Sequence, residues 1–532
     1  MKIKRIACFL LAFVLLCGAL VACDDGKGGE IDGEENYDGT LASLDFGGAT
    51  LDVCVSACQD KEVSFRPGNV YTKGPDNAAT SEPIAKKVLA RNKKVGEDLG
   101  ITLNYTTVDL WYNDIMPYLE VLLAGDGSDA PDVFHNDVYA MSKALLSGYL
   151  WNVSDPGYDA KGNEVKSYFD FDSDCWYKDY MEGATYSKDK MYILAGDYNL
   201  DMIRYAWVFF VNINLWDASF GSLSEEDGWG FNTYESVCEY IEDTGDWFYD
   251  DMITLSTIAH NDAGGSTQGK TDVNDAQIGC VLNDNYYRMF FLCSGNSLYE
   301  WTKNGKTCAP GEGTPSFIGL NDIGDIVDVG NKVTEIYNTK GVLPRVDGVD
   351  GHVKLFMDGK AVMGMLYLGE MESDQMRGTS FQRGILPFPS YSTKAEITTM
   401  VHDQAEVDCI LNNATSFAMA SAFLQYVNEQ SGDILNMYYE DVLKFKYNDS
   451  KGARDMIDVV YGTVTSPFHM LSDFLVYDAI TDVQIKAKTL KETFRHDAIN
   501  NRPSTYSGAY ATSRDALQAS LEAALAKFNA LQ

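Results

Sequence analysis

The chain has 532 residues, of which 45% are hydrophobic, so it is long enough for two or more domains with ordinary globular cores. It carries 42 basic and 78 acidic residues and a formal net charge of −36, which excludes nucleic acid as a partner because phosphate binding needs a basic surface. The six histidines show no metal-ligand spacing, and we expect neither a metal nor a cofactor.

The first residues have the pattern of an export signal. Lys2, Lys4 and Arg5 precede an apolar run, which ends at Cys23. The approach to Cys23 resembles the bacterial lipobox, so residues 1–22 are predicted to be a lipoprotein signal peptide and Cys23 the lipidated residue. An ordinary secretion signal that is cut elsewhere is the alternative. The Gly- and acid-rich segment 23–44 is predicted to be a disordered tether.

The folded part is predicted to begin with a β-α-β unit. Residues 49–55 alternate as a strand, and Ser81-Glu82-Pro83 marks the start of a helix that Gly100 closes. Residues 101–105 are the next strand. This order predicts two parallel strands joined by a crossover helix.

The middle of the chain continues the alternation of strands and helices. Apolar runs and helical spacing predict strands at 130–134, 191–194, 207–211 and 278–282, and helices at 115–124, 140–146, 233–242 and 321–337.

The run Ala361–Leu366 is unbroken and apolar, which is typical of a strand buried on both faces of a parallel sheet. Gly364 within it allows another backbone or a ligand to come close. Tyr367 and Glu370 follow at the carboxyl end, where open α/β sheets bind ligands. A second strand leads into Pro387-Phe388-Pro389, where we expect the chain to leave the sheet and cross to another part of the molecule.

The last third is predicted to hold a strand and two long helices. The strand covers 408–411, and a helix follows at 416–427. The helix 513–528 is amphipathic, and the residues on its apolar stripe are Leu517, Leu521, Leu525 and Phe528.

Three motifs, taken in order, resemble those of the extracellular solute-binding proteins of ABC transporters. They are GDGSDAPDV at 125–133, FMDGKAVM at 356–363 and Leu386-Pro387. The lipoprotein leader fits the same family. The resemblance is to its large carbohydrate and oligosaccharide binders.

The resemblance implies a two-lobed α/β fold of the periplasmic-binding-protein type II class. Each lobe is a mainly parallel sheet flanked by helices, and the ligand lies in the cleft between the lobes. One lobe is expected to hold residues 44–196 and 387–430, and the other residues 197–386 and 431–532. The crossovers between them form a hinge.

The resemblance also implies a function. The protein is expected to be lipid-anchored outside the cytoplasm, to bind a small solute, most simply a carbohydrate, and to deliver it to the membrane permease of an ABC importer. It is expected to be a monomer and to have no enzymatic activity. A secreted carbohydrate-active hydrolase with a carboxylate pair is the alternative. The number of acidic residues does not distinguish the two, whereas the ordered motifs favour the binding protein.

A sugar needs flat aromatic rings for its C–H face and carboxylates or amides for its hydroxyls. The candidate ligand-binding residues, which lie at predicted strand ends and in loops, are Tyr367, Glu370, Asp137, Tyr139, Trp111, Asp197, Trp301 and Trp207. Tyr367 and Glu370 are expected to face Asp137 across the cleft. Helix capping is the alternative role for Asp137, and core packing is the alternative for Tyr139 and Trp207.

Overall fold

The computed structural model describes most of the chain beyond the leader. The described residues are 33–34, 37–56, 69–75, 83–110, 114–124, 130–158, 162–223, 231–262, 270–283, 288–346, 351–392, 395–402, 404–446, 450–465, 493 and 495–531. The predicted signal peptide, Cys23, Trp111 and the motif residues 125–129 lie outside them. The folded part begins earlier than predicted, because Leu41–Ser43 forms a 3-10 helix and Leu44 is only 1% exposed.

Seventeen α-helices are described, in addition to the 3-10 helix at Leu368–Glu372 and the π-helix at Met437–Lys446. The α-helices are α1 Asn69–Thr72, α2 Pro83–Asp98, α3 Ile115–Leu123, α4 Val138–Leu146, α5 Lys178–Gly183, α6 Asp201–Arg204, α7 Ile213–Phe220, α8 Tyr234–Thr244, α9 Tyr249–Ala259, α10 Arg288–Leu292, α11 Gly324–Asn338, α12 Gly351–Met357, α13 Asp374–Arg377, α14 Phe417–Glu429, α15 Gly432–Asn436, α16 Lys451–Gly462 and α17 Tyr506–Ala530.

The strands form four sheets. They are β1 Ala49–Ser56, β2 Ile101–Val108, β3 Val133–Asp137, β4 Trp207–Asn212, β5 Ile278–Val281, β6 Tyr299–Lys303, β7 Lys306–Thr307, β8 Thr314–Phe317, β9 Val342–Leu343, β10 Ala361–Tyr367, β11 Arg383–Pro387, β12 Thr399–Met400, β13 Glu406–Ile410 and β14 Val464–Thr465.

The first sheet has the order β13-β3-β1-β2 and confirms the predicted β-α-β unit. β1 pairs in parallel with β2 and β3, and β13 joins β3 antiparallel. Helix α2 connects β1 to β2, and Gly100 follows it with a φ of +60°. A Cβ at Gly100 would lie 2.1 Å from the carboxylate of Asp45, so this tight turn requires glycine.

The second sheet has the order β11-β4-β10-β5-β9. β10 is buried from Ala361 to Leu366, as its unbroken apolar sequence predicts, and it pairs in parallel with β5 but antiparallel with β4. A Cβ at Gly364 would lie 3.1 Å from the ring of Phe356, so this glycine admits the packing of α12 and not a ligand. β11 is an edge strand that ends at Pro387, as expected for a proline that leaves a sheet.

The mainly parallel sheets flanked by helices confirm the predicted fold class. Two small sheets, β7-β6-β8 and β12-β14, complete the structure of the described residues. The long helix α17 contains the predicted amphipathic stripe, and Leu517, Leu521 and Phe528 are buried on it. Among the described residues, no helix has the length and apolar character needed to cross a bilayer.

The seven cysteines among the described residues are all free thiols. Six are buried, and Cys308 is half-buried. Burial raises the pKa of Cys54 and of Cys175 to about 11. These cysteines therefore act as small apolar core residues, in agreement with their apolar sequence contexts.

Candidate functional site

Asp137 ends β3 and begins helix α4. Its Oδ1 accepts a hydrogen bond of 2.7 Å from the backbone N–H of Ala140, and its side chain is buried. Asp137 is therefore the N-cap of α4, which was the alternative reading of the sequence. Tyr139 is half-buried, and the ammonium of Lys143 lies 4.0 Å from the centre of its ring.

The structure brings two of the candidate residues together. The rings of Tyr367, at the end of β10, and Trp207, at the start of β4, are 4.1 Å apart between centroids. Tyr205 and His402 join this aromatic group, with their ring centres 5.7 Å and 5.3 Å from that of Tyr367. Trp207 is fully buried and Tyr367 half-buried, so Tyr367 is the member that solvent can reach.

Glu370 is buried in the 3-10 helix that follows β10. Sequence analysis did not single out the neighbouring Glu372, but its carboxylate makes three hydrogen bonds to distant parts of the chain. Its carboxylate accepts hydrogen bonds from Nε of Arg204 at 2.9 Å, from the hydroxyl of Tyr71 at 3.3 Å and from the hydroxyl of Tyr438. Four distant segments of the chain therefore meet at one carboxylate.

A second buried group of charges lies at the end of the first sheet. The imidazole of His135 donates to Asp408 Oδ1 at 2.7 Å and contacts Glu406 Oε2 at 2.6 Å. Burial alone lowers the pKa of His135, but the two carboxylates outweigh it and raise this pKa to about 10. His135 is therefore a buried cation.

Asp201 connects the two charge groups. Its Oδ1 accepts from Nη1 of Arg204 at 3.1 Å, and its Oδ2 accepts from the backbone N–H of Glu406 at 3.2 Å. Burial raises the pKa of Asp201, and the Arg204 cation opposes that effect. We call the set of His135, Asp408, Glu406, Asp201, Arg204 and Glu372 the junction network. It runs from the first sheet through α6 to the 3-10 helix that follows β10.

Asp197 lies in the segment that leads from the first sheet to α6. Its side chain is half-buried, and burial raises the pKa of its carboxyl group to about 7. Burial raises the pKa of the Tyr177 and Tyr461 hydroxyls, and the nearby carboxylate of Asp197 adds to this effect. The centres of the two tyrosine rings are 6.3 Å apart. A carboxyl group that titrates near neutrality can either donate or accept a hydrogen bond from a ligand.

A cavity of about 630 Å3 is present as well, and none of the residues of the junction network lines it. One wall consists of α5 and Lys188, the opposite wall consists of β6, β7 and the loops around them, and Thr398 and Met400 of the β12 region complete it. Trp301, a candidate from the sequence, lines this cavity and is 4% exposed, and Tyr299 beside it is 8% exposed. We call this space the inter-sheet cavity.

The charged groups that line the inter-sheet cavity are mostly acidic. Asp179, Glu182 and Glu300 line it, and the ammonium of its one lining lysine, Lys188, is paired with Glu182 at 2.6 Å. Within the described residues, no group of three or more His, Cys, Asp and Glu side chains is arranged to hold a metal ion. The cavity therefore suits a neutral ligand that has hydroxyl groups to donate.

Comparison with solved structures identifies the fold. The galacto-N-biose/lacto-N-biose I-binding protein of an ABC transporter from Bifidobacterium longum is similar over 91% of this chain and 98% of its own, with 12% identity and a TM-score of 0.51. A family 1 extracellular solute-binding protein from Bifidobacterium longum subsp. infantis is similar over 90% of this chain and 100% of its own, with 14% identity and a TM-score of 0.50.

The chain has the fold of the extracellular solute-binding proteins. No protein-family model matches the sequence, and no curated protein matches it.

The junction network had no signal in the sequence. His135 and Asp408 are 273 positions apart, and Arg204 and Glu372 are 168 apart. Only the pairing of β3 with β13 and the contact of α6 with the 3-10 helix after β10 bring these residues together. Trp301 was predicted from its position in a polar loop, but the structure places it in β6, where it lines the inter-sheet cavity.

Proposed function

We propose that this protein is an extracellular solute-binding protein that captures a carbohydrate and delivers it to an ABC importer. The observation that carries the proposal is the inter-sheet cavity, which combines tryptophan, tyrosine and carboxylates in a chain with a solute-binding fold. We place this cavity between the two lobes. The similar protein from Bifidobacterium longum binds lacto-N-biose, which is a neutral sugar. The alternative, a hydrolase, has no comparable support.

The lining of the cavity favours a sugar over other solutes. Trp301 and Tyr299 are nearly covered in this structure and would offer apolar ring surface to the C–H face of a sugar once the walls of the cavity part. Glu300, Asp179 and Asn296 can accept hydrogen bonds from its hydroxyls. Because Lys188 is already paired with Glu182, an anionic solute would meet uncompensated carboxylates. The proposed ligand is therefore a neutral mono- or oligosaccharide.

Capture would proceed by a change in the separation of the lobes. We place the first lobe at 44–196 with 387–430, the second at 197–386 with 431–532, and the hinge in the segments that connect them. A ligand that touches both walls favours the closed arrangement, by no more than its difference in affinity for the two states. Tyr367 and Asp197 lie close to this hinge and are proposed to contact the ligand on closure.

The leader completes the proposal. Cleavage before Cys23 and acylation of its thiol would hold a monomeric protein at the outer face of the cell membrane, close to the permease. Two acyl chains anchor a protein stably, since each buried CH2 contributes about 0.8 kcal/mol. Mass spectrometry of the mature chain tests this part, because a first residue other than an acylated Cys23 contradicts it.

A thermal-shift panel tests the function. The full chain in detergent is heated with neutral sugars, acidic sugars, amino acids and peptides, and each sugar that raises the melting temperature is then analysed by mass spectrometry. A shift with an intact neutral sugar supports the proposal, and cleavage products would establish the hydrolase instead. Trp301→Phe should weaken the shift, whereas Trp151→Phe, at a tryptophan that packs on Phe417, should preserve it.

A further inference from the structure

The first half of helix α17 is attached to the second lobe. Tyr510 donates from its hydroxyl to the carbonyl oxygen of Ile318 at 2.9 Å, and Arg514 donates to the carbonyls of Ile318 and Phe317 at 2.8 Å and 2.9 Å. The side-chain oxygen of Gln518 accepts from the N–H of Phe317 at 2.9 Å. Four hydrogen bonds therefore fix this half to the end of β8.

The second half of the same helix is attached to the first lobe. Phe528, which is 1% exposed, packs between Tyr186 and Tyr192, with ring centres 5.4 Å and 5.8 Å away. The ammonium of Lys190 donates to the carbonyl oxygens of Asn529, at 3.4 Å, and Leu531. A cation at the carboxyl end of a helix satisfies carbonyls that lack partners within the helix.

The two attachments lie on opposite walls of the inter-sheet cavity. Phe317 belongs to the small sheet that carries Trp301, whereas Tyr186 and Lys190 follow α5, which forms the other wall. The walls also touch directly, since the N–H of Lys188 donates to the carbonyl of Gly311 at 3.1 Å. With 25 residues, α17 is about 37 Å long, which is enough to reach from one wall to the other.

We propose that α17 is a strap that joins the two lobes and limits how far they separate. The attachment at Phe528 and Lys190 is the one that releases, because its hydrogen bonds come from one half-buried lysine beside the packing of Phe528 and α4, whereas the other attachment has four hydrogen bonds. Release of Phe528 from Tyr186 and Tyr192 lets the walls part and a solute exchange. This inference rests on the lobe movement of the proposed function, but not on the identity of the solute.

Double electron–electron resonance, which measures the distance between two spin labels, tests the strap in the protein without ligand. Spin labels are placed at Val121→Cys on α3 and Glu242→Cys on α8, both exposed, in the full chain with Cys58 and Cys308 replaced by serine. Phe528→Ala should shift the distance distribution to longer values and broaden it. Asn529→Ala is the matched control, because this exposed side chain is adjacent to Phe528, and it should preserve the distribution.

If circular dichroism shows that Phe528→Ala does not fold, the same distance is measured in Lys190→Ala instead. It removes the hydrogen bonds to Asn529 and Leu531 but leaves the aromatic contact, so a smaller shift in the same direction is expected. An unchanged distribution in every folded strap variant overturns the proposal. If the strap variants shift the distance distribution but the protein binds no sugar, the proposed function alone is contradicted. If the protein binds a sugar but the strap variants leave the distribution unchanged, the strap alone is contradicted.

Discussion

Glu372 is the buried carboxylate at which four distant segments of the chain meet. Its carboxylate is surrounded by the guanidinium of Arg204 and the hydroxyls of Tyr71 and Tyr438, and it is excluded from water. Buried ion pairs of this kind add little stability over apolar packing, but the loss of one partner leaves a buried charge uncompensated. The junction network is therefore sensitive to single substitutions.

Glu372→Gln should lower the free energy of unfolding by about 3 kcal/mol, because Arg204 stays buried with only Asp201 to balance it. Urea denaturation measures the change. The control is Glu335→Gln, which breaks an exposed pair with Lys332 and should cost less than about 1 kcal/mol. Equal effects of the two substitutions would show that the junction network is not coupled to stability.

Asp197 gives the fold a dependence on pH. Burial raises the pKa of its carboxyl group to about 7, above the ordinary value of 3.8, so the folded state holds this proton more tightly than the unfolded state. The stabilising contribution is complete below about pH 4 and is lost as the pH rises through about 7. Above that value the protein holds a poorly solvated carboxylate.

Asp197→Asn should therefore be more stable than the wild type at pH 8, by about 1–3 kcal/mol, because the amide is never charged. The difference should shrink as the pH falls and disappear near pH 4. Chemical denaturation over this range measures it, with the exposed Asp172→Asn as the control. A constant difference between Asp197→Asn and the wild type would refute the assignment.

At the scale of elements, close packing of α12 on β10 explains the glycine within that strand. The ring of Phe356 fills the space that a side chain at Gly364 would need. Phe356 also contacts Phe210 of β4 and Phe381, so the ring cannot move freely. The strand is therefore fixed by what packs on it, and its carboxyl end, with Tyr367, is held in place.

Gly364→Ala should cost about 1–3 kcal/mol of unfolding free energy, since the added methyl group crowds Phe356. Combining it with Phe356→Leu should recover part of the loss. Gly324→Ala, at the first residue of α11 where nothing lies within 4 Å, should instead gain about 0.4–1 kcal/mol. Urea titration of the three variants measures these free energies of unfolding. If Gly364→Ala does not change the free energy of unfolding, the packing argument is contradicted.

The sequence predicted the elements better than the contacts between them. β10 and α17 were recognised because an unbroken apolar run and a four-residue apolar stripe depend only on neighbouring positions. The capping role of Asp137 was visible as an alternative for the same reason. The junction network was not, because Arg204 and Glu372 are 168 positions apart and meet only in the folded chain.

At the scale of the whole molecule, the dominant property is a formal net charge of −36. Like charges repel one another in the folded state, and this repulsion is relieved when the chain expands. Dissolved salt screens it, since the Debye length falls from about 30 Å at 0.01 M to about 10 Å at 0.1 M. The charge keeps the protein soluble and lowers its stability in dilute buffer.

The melting temperature should therefore rise with ionic strength between about 0.01 M and 0.1 M, as measured by calorimetry at constant pH. Sodium and potassium chloride should act alike, because the effect is screening and not ion binding. A melting temperature that is constant or falls over this range would show that local ion pairs outweigh the overall repulsion.

The buried thiols have a consequence for how the chain reaches its native state. Each of the six is out of reach of oxidants once the core has formed, but all are accessible while the chain is still unfolded. Any bridge formed at that stage would join residues that the finished protein keeps apart. Maturation therefore requires collapse of the core to be faster than thiol oxidation, and a mild reductant should protect the newly made chain.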